Sequence, residues 1–291
     1  MKVRANGLDI EVEDTGESGR PAVLLIMGLG MQLVAWPPRM VEALQAAGLR
    51  VIRFDNRDVG LSTWLDHLGV PNVAAASLRH RMGFAVHAPY TLADMALDAI
   101  GVLDALGLER AHVVGASLGG MVAQRVALAA PGRVVTLTSL MSTSGAPFLP
   151  GPRAAVLAGL LARPTGSDEE AVVAHFMRLL RLIGSPAFPT PEAEARERVR
   201  AMVRRAWHPE GTVRQLVAVG ADTRRYLELP RIQAPTLVLH GTHDPLVPFA
   251  CGHDTALRIP GARLVPINGM GHDLPPGVVD ALLPPLLAHL R

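Results

Sequence analysis

A serine set between glycines, in His112-Val113-Val114-Gly115-Ala116-Ser117-Leu118-Gly119-Gly120, is the residue of this chain best suited to nucleophilic chemistry. An apolar run precedes the G-x-S-x-G spacing and a helical pattern follows it. The spacing has a physical cause. A hydroxyl pushed out of a sharp strand-to-helix turn needs strained backbone angles, and the residues two positions either side of it must lack bulk. The next backbone N–H, on Leu118, opens a helix and so faces developing negative charge. The same spacing also fits a Gly-rich turn with a capping serine, but the strand and helix around it favour a nucleophile.

A serine needs a base, and the base needs an orienting carboxylate. Leu239-His240-Gly241-Thr242-His243-Asp244-Pro245 reads as a strand end followed by a polar loop that carries Asp244. Ile267-Asn268-Gly269-Met270-Gly271-His272-Asp273 is the next strand end, with His272 behind a glycine pair. Singly, each could be a solvated loop residue; beside Ser117 they read as its partners. No Asp or Glu stands between Glu109 and Asp168, so the strand after the nucleophile cannot offer an acid from its tip. Asp244 gains by elimination. Two competitors remain. Asp273 adjoins His272, but neighbouring side chains diverge, and Asp254 falls in a helical stretch, on a solvated face.

The second donor of an oxyanion hole is expected in Ile26-Met27-Gly28-Leu29-Gly30-Met31-Gln32, where glycines let the backbone approach a carbonyl oxygen and Leu29 offers the N–H. A dinucleotide fingerprint starting at Gly28 fails at its third glycine, where Leu33 stands. Clusters such as His240/His243/Asp244, His253/Asp254 and His272/Asp273 look like metal ligands on paper, yet most lie on strand-end loops. Neither a cofactor nor a metal is expected.

The elements that must position these groups alternate. Apolar runs at 22–27, 50–54, 111–114, 134–140, 235–239 and 263–267 read as strands buried on both faces. Helical segments at 38–47, 91–106, 118–130 and 276–290 lie between or after them, the last with a kink or break at Pro284-Pro285. Such alternation predicts an α/β fold with a mostly parallel sheet. Segments 3–5 and 8–13 flank Asn6-Gly7, which predicts an N-terminal antiparallel hairpin. Alternation stops at 143–231, where Pro- and Gly-marked breaks separate helical stretches at 153–161, 169–182, 191–206 and 212–227. This block reads as a helical lid inserted into a core made of 1–142 and 232–291, although layer helices of the sheet would leave a similar trace. The lid is expected to govern substrate choice and to contribute little to the chemical step.

Composition narrows the function. Of 291 residues, 49% are apolar and 19% charged, which supplies a core and excludes disorder as a class. Aromatics at 4% argue against a stacking platform for single-stranded nucleic acid, and a net charge of +2, with Lys2 the only lysine and arginines dispersed, against any polyanion partner. One cysteine, Cys251, permits neither an intrachain disulfide nor a multi-thiolate metal site. Apolar runs fall short of the ~18 residues that span a bilayer. A soluble, cytoplasmic protein is expected, with its oligomeric state open.

In sum these residues resemble an α/β-hydrolase-fold serine esterase. The chain order Ser117, Asp244, His272 is that of the fold. Leu25-Ile26-Met27-Gly28-Leu29-Gly30 with Trp36-Pro37 is similar to the aclacinomycin methylesterase-like branch, and Asp55-Asn56-Arg57-Asp58-Val59-Gly60-Leu61-Ser62 matches a D-x-R-x-x-G-x-S loop found in such hydrolases. The resemblance covers 1–142 and 232–291 and implies hydrolysis of a carboxylic ester by Ser117, His272 and Asp244, with the N–H groups of Leu29 and Leu118 as oxyanion donors. Thioesters, lactones, C–C bonds and peracid formation use the same triad, and a non-catalytic ligand-binding member is the reading from another class. One departure is Met27, where most relatives in the wider fold carry histidine, so no imidazole anchors that loop. The expected pocket wall comprises Leu29, Met31, Leu118, Met121, Phe148, Phe176, Met177 and Leu180, which suits a small or medium hydrophobic ester.

Overall fold

The computed structural model describes residues 1–16 and 19–291. Its strands are β1 (Lys2–Ala5), β2 (Leu8–Asp14), β3 (Ala22–Ile26), β4 (Arg50–Phe54), β5 (Ala111–Ala116), β6 (Val134–Leu140), β7 (Thr236–Gly241) and β8 (Arg263–Ile267). Its helices are α1 (Pro38–Ala46), α2 (Val73–Arg81), α3 (Leu92–Ala105), α4 (Leu118–Ala129), α5 (Ala154–Leu161), α6 (Glu169–Ile183), α7 (Glu192–Arg205), α8 (Pro209–Ala221), α9 (Arg225–Glu228), α10 (Phe249–Arg258) and α11 (Pro276–His289).

The strands form one sheet in the order β1-β2-β4-β3-β5-β6-β7-β8. Asn6 and Gly7 take left-handed backbone angles, with φ of 48° and 77°, and close the β1–β2 hairpin as a two-residue turn requires. β2 pairs antiparallel with β4, and every pairing beyond is parallel. Because successive strand residues face opposite sides, β3 feeds two cores. Leu24 and Ile26 pack with Met95, Val102, Val122 and Val126 of α3 and α4. Val23 and Leu25 pack with Met40 and Leu44 of α1 and with Leu282 and Leu286 of α11. Burial of each such side chain is worth roughly 1.5–3 kcal/mol.

Helices α5 to α9 lie between β6 and β7. The stretch expected as one helix at 212–227 is instead α8 and the short α9, divided at Asp222. α6 and α7 bury a small apolar cluster of Val173, Met177 and Val199, while Glu169, Glu170, Arg200 and Arg204 pair across their exposed side. Of the kink or break expected in α11, there is no break: the helix continues through Pro284-Pro285. Pro284 is exposed, as is Asp280 one turn earlier, so water can satisfy the carbonyl a proline cannot bond, while Leu282 and Leu286 stay packed. α2 had no counterpart among the expected helices. It is announced by Asn72, whose side chain accepts from the Ala75 N–H at 3.0 Å, but it buries no residue and so leaves no apolar period. No helix among the described residues is long and apolar enough to cross a membrane.

Candidate functional site

Ser117 separates β5 from α4 with φ 55° and ψ −120°, a strained conformation for a residue with a side chain. Two glycines make the turn possible. A Cβ on Gly115 would strike the Gly119 carbonyl, and one on Gly119 would strike the Ile26 carbonyl of β3. The Ser117 N–H donates to the Leu140 carbonyl at 2.8 Å, so the turn is tied to β6 as well.

The three residues proposed from sequence meet at the strand ends. His272 Nδ1 lies 2.6 Å from Asp244 Oδ2, and His272 Nε2 lies 3.0 Å from Ser117 Oγ. An ionised carboxylate only accepts, so Nδ1 carries the proton and Nε2 is free to accept from the serine hydroxyl. Asp244 is itself fixed: its Oδ1 accepts from the N–H groups of Leu246 at 2.9 Å and Val247 at 2.8 Å. The acid and histidine loops are joined by the His243 N–H donating to the Met270 carbonyl at 3.0 Å. His240, weighed in the sequence only as a metal ligand, is buried beside the acid, its Nε2 2.7 Å from the Val247 carbonyl and 3.6 Å from Asp244 Oδ2. Burial holds its imidazole below the ordinary histidine range.

The rival carboxylates lie elsewhere. Asp273 accepts a hydrogen bond from the Ser185 hydroxyl, and burial pushes its carboxyl above the usual carboxylate range. Ser185 Oγ also accepts from the Gly271 N–H at 2.8 Å, while the His272 N–H donates to the Ile183 carbonyl at 2.7 Å, so the end of α6 grips the histidine loop. Asp254 is not on a solvated face: it is partly buried, 2.6 Å from Arg258 Nε and bonded to Ser144.

Gly28 lies against Ser117, since a Cβ there would stand 3.2 Å from Ser117 Cβ. Among the described residues, neither the Leu29 N–H nor the Leu118 N–H donates to a protein acceptor. Both residues line the cleft above Ser117. In place of an imidazole, side chains from the loop after β4 hold this segment. Asn56 Nδ2 donates to the Met27 carbonyl at 3.0 Å, and Asp55 Oδ1 accepts from the Leu33 N–H at 2.7 Å. Asp55 Oδ2 accepts in turn from Arg205 Nη1 at 2.7 Å and from the Leu61 N–H at 2.8 Å, and the Ser62 hydroxyl donates to the Asp55 carbonyl at 2.6 Å. The D-x-R-x-x-G-x-S match therefore marks a scaffold under the loop after β3. Arg57 within it is buried and doubly paired to Asp98, with both contacts at 2.6 Å.

A cleft of about 2530 Å³ opens over Ser117 and His272, lined by Met31, Met121, Phe176, Met177 and Leu180 among others. Phe148 is the exception to the expected wall. It is fully exposed and lines no part of the cleft, because its left-handed backbone, φ 69°, follows a turn pinned by Thr143 and Ser144 and sends the ring outward. Val70, Asn72 and Val73, at the start of α2, border the cleft on a side that sequence reasoning left unassigned. Gln32, Asn56, Ser185 and Gln215 were also missed. Asn56 and Gln32 stood within segments singled out in the sequence, without a role of their own; Ser185 and Gln215 act across long chain separations.

Known proteins resemble this chain over nearly its whole length. The chain is 34% identical over 299 residues, 96% of its length and 94% of the relative's, to rhodomycin D methylesterase DauP of Streptomyces sp. (strain C5). It is 33% identical, with the same coverage of 96% and 94%, to rhodomycin D methylesterase DnrP of Streptomyces peucetius. The enol-lactonase from Burkholderia xenovorans LB400 shares its fold with a TM-score of 0.75 at 23% identity, over 100% of this chain and 99% of that one. With the alpha/beta hydrolase fold model matching residues 21–275, the chain belongs to the alpha/beta hydrolase fold family.

Proposed function

We propose that this protein hydrolyses carboxylic esters, with Ser117 as nucleophile, His272 as general base and acid, and Asp244 as the carboxylate that orients the imidazole. The observation that carries this reading is the unbroken hydrogen-bond chain from Ser117 Oγ through His272 to Asp244 at the floor of the cleft. Ser117 Oγ attacks the ester carbonyl as its proton passes to His272 Nε2. Negative charge builds on the carbonyl oxygen, where the N–H groups of Leu29 and Leu118 receive it; one such donor is worth about 3 kcal/mol in comparable sites. His272 then gives its proton to the leaving alkoxide, and the alcohol departs. Water, deprotonated by the same nitrogen, attacks the acyl-enzyme and releases the acid. Asp244 stays ionised and stabilises the imidazolium formed in each half.

The substrate is a hydrophobic ester. The cleft exceeds the roughly 300–1000 Å³ of ordinary ligand sites, which favours the bulky end of the range. Two relatives named as rhodomycin D methylesterases favour a methyl ester, which leaves the cleft to the acid. Residues 143–231 act as the lid over that acid in this reading. Methyl and p-nitrophenyl esters of increasing acyl size, assayed with and without an organophosphonate, test it. Turnover that rises with acyl bulk and stops on stoichiometric phosphonylation supports the reading; turnover unaffected by the reagent contradicts it.

A further inference from the structure

The oxyanion loop is bonded to the lid as well as to the core. α8 packs directly on it: a Cβ on Gly30, whose φ is +64°, would stand 2.6 Å from Thr212 Oγ1. Three residues on, the fully buried Gln215 accepts from the Gly30 N–H at 2.9 Å and donates to the Arg57 carbonyl at 2.9 Å. One side chain of the lid therefore joins the oxyanion loop to the loop after β4. Gln32 makes a second link, its Nε2 donating to the Met202 carbonyl at 2.8 Å and the Ala206 carbonyl at 2.7 Å, at the end of α7. Its Oε1 accepts from Arg205 Nη1 at 2.7 Å.

Geometry makes the Gln215 bond consequential. It fixes the peptide between Leu29 and Gly30, and the adjoining peptide carries the Leu29 N–H. Those two planes share the backbone angles of Leu29, so freeing one lets the other swing. Oxyanion donors act only when held about 2.7–3.1 Å from the oxygen that takes up the charge, a tolerance of a few tenths of an ångström. Loss of Gln215 also leaves a part-buried N–H on Gly30 and a buried C=O on Arg57 without their protein partner, which favours movement of the loop.

We propose that Gln215, although it belongs to the lid, is a positioning residue for the oxyanion hole, holding the Leu29 N–H in place through its bond to Gly30. The lid thereby enters the chemical step and does more than select substrates. The proposal rests on the ester-hydrolase reading above, with Leu29 as a donor.

The test uses Gln215→Met, which keeps the bulk and removes both hydrogen bonds. p-Nitrophenyl acetate and its thiono counterpart serve as probes, because sulfur accepts hydrogen bonds poorly and draws little from an oxyanion hole. Expected is a fall of about 10- to 100-fold in kcat for the oxygen ester, below the roughly 100- to 1000-fold cost of losing a donor outright. KM should stay within about twofold, since the contact is made in the transition state. The thionoester should lose far less, so the oxygen-to-sulfur rate ratio falls with kcat. Equal loss on both esters in a folded variant, or no loss on either, overturns the proposal. If Gln215→Met does not fold, Gln215→Asn, one methylene too short to reach the Gly30 N–H, applies the same ratio: a fall supports the proposal and an unchanged ratio overturns it. Wild-type protein that a fluorophosphonate fails to label at Ser117 would overturn the ester-hydrolase reading, and this proposal with it.

Discussion

The sheet side and the side of the proposed lid, α5 to α9, hold the candidate site by different means. On the sheet side, Ser117, Asp244 and His272 sit on turns that the main chain dictates: the nucleophile turn closes so tightly that a methyl group at Gly115 or Gly119 would collide with backbone. On the lid side, side chains reach across long gaps in sequence, 185 residues for Gln215 and Gly30 and 170 for Gln32 and Met202. Steric demands of the first kind impose residue types at fixed spacing. Contacts of the second kind accept any residue that can reach, so they leave no local pattern.

Substitutions on the sheet side should therefore be harsh. Asp244→Asn is expected to leave the protein folded and to lower kcat by about 10,000-fold, because an amide favours the wrong imidazole tautomer. Asp273→Asn should cost less than about tenfold, since its side chain bonds Ser185 and not the ring. Steady-state kinetics on both variants decides between the two aspartates, and a reversed order would move the acid to Asp273. Gly119→Ala tests the main-chain argument itself. Its methyl group has nowhere to go but into the Ile26 carbonyl, so urea unfolding should show a loss of about 1–3 kcal/mol or more. An unchanged midpoint would mean that the turn is looser than it looks.

Lid substitutions should be milder and depend on substrate. Phe176 lines the cleft and meets Trp207 edge-on, with ring centroids 5.3 Å apart. Phe176→Ala should reorder kcat/KM along an acyl-length series by about tenfold while changing a small acetate ester by less than about threefold, the scale of one or two apolar contacts. Phe148→Ala, on a ring that touches no part of the cleft, should change neither by more than about twofold. Uniform loss across the series for Phe176→Ala would remove the residue from the specificity surface.

What could be read in the sequence follows the same division. The Asn6-Gly7 hairpin, the nucleophile turn and the two late strand ends were legible because each rests on local backbone geometry. The absence of any acid between Glu109 and Asp168 pointed to Asp244, and its carboxylate does meet the imidazole. Phe148 was misplaced because composition says a ring is apolar without saying which way its loop turns. α2 was invisible for want of a buried face, and the Pro284-Pro285 pair does not break α11 because an exposed helix side tolerates unpaired carbonyls. Gln215 could not be found at all from sequence, since its partners come from a loop far upstream.

The central claim is that Ser117 carries the acyl group. Rapid quenching with a p-nitrophenyl ester, followed by intact-mass and peptide analysis, tests it directly. Expected is one acyl adduct per chain, confined to the peptide bearing Ser117, and lost in a folded Ser117→Ala variant whose turnover falls by about a million-fold. An adduct on another residue, or a Ser117→Ala variant that keeps a tenth of wild-type turnover, would contradict it.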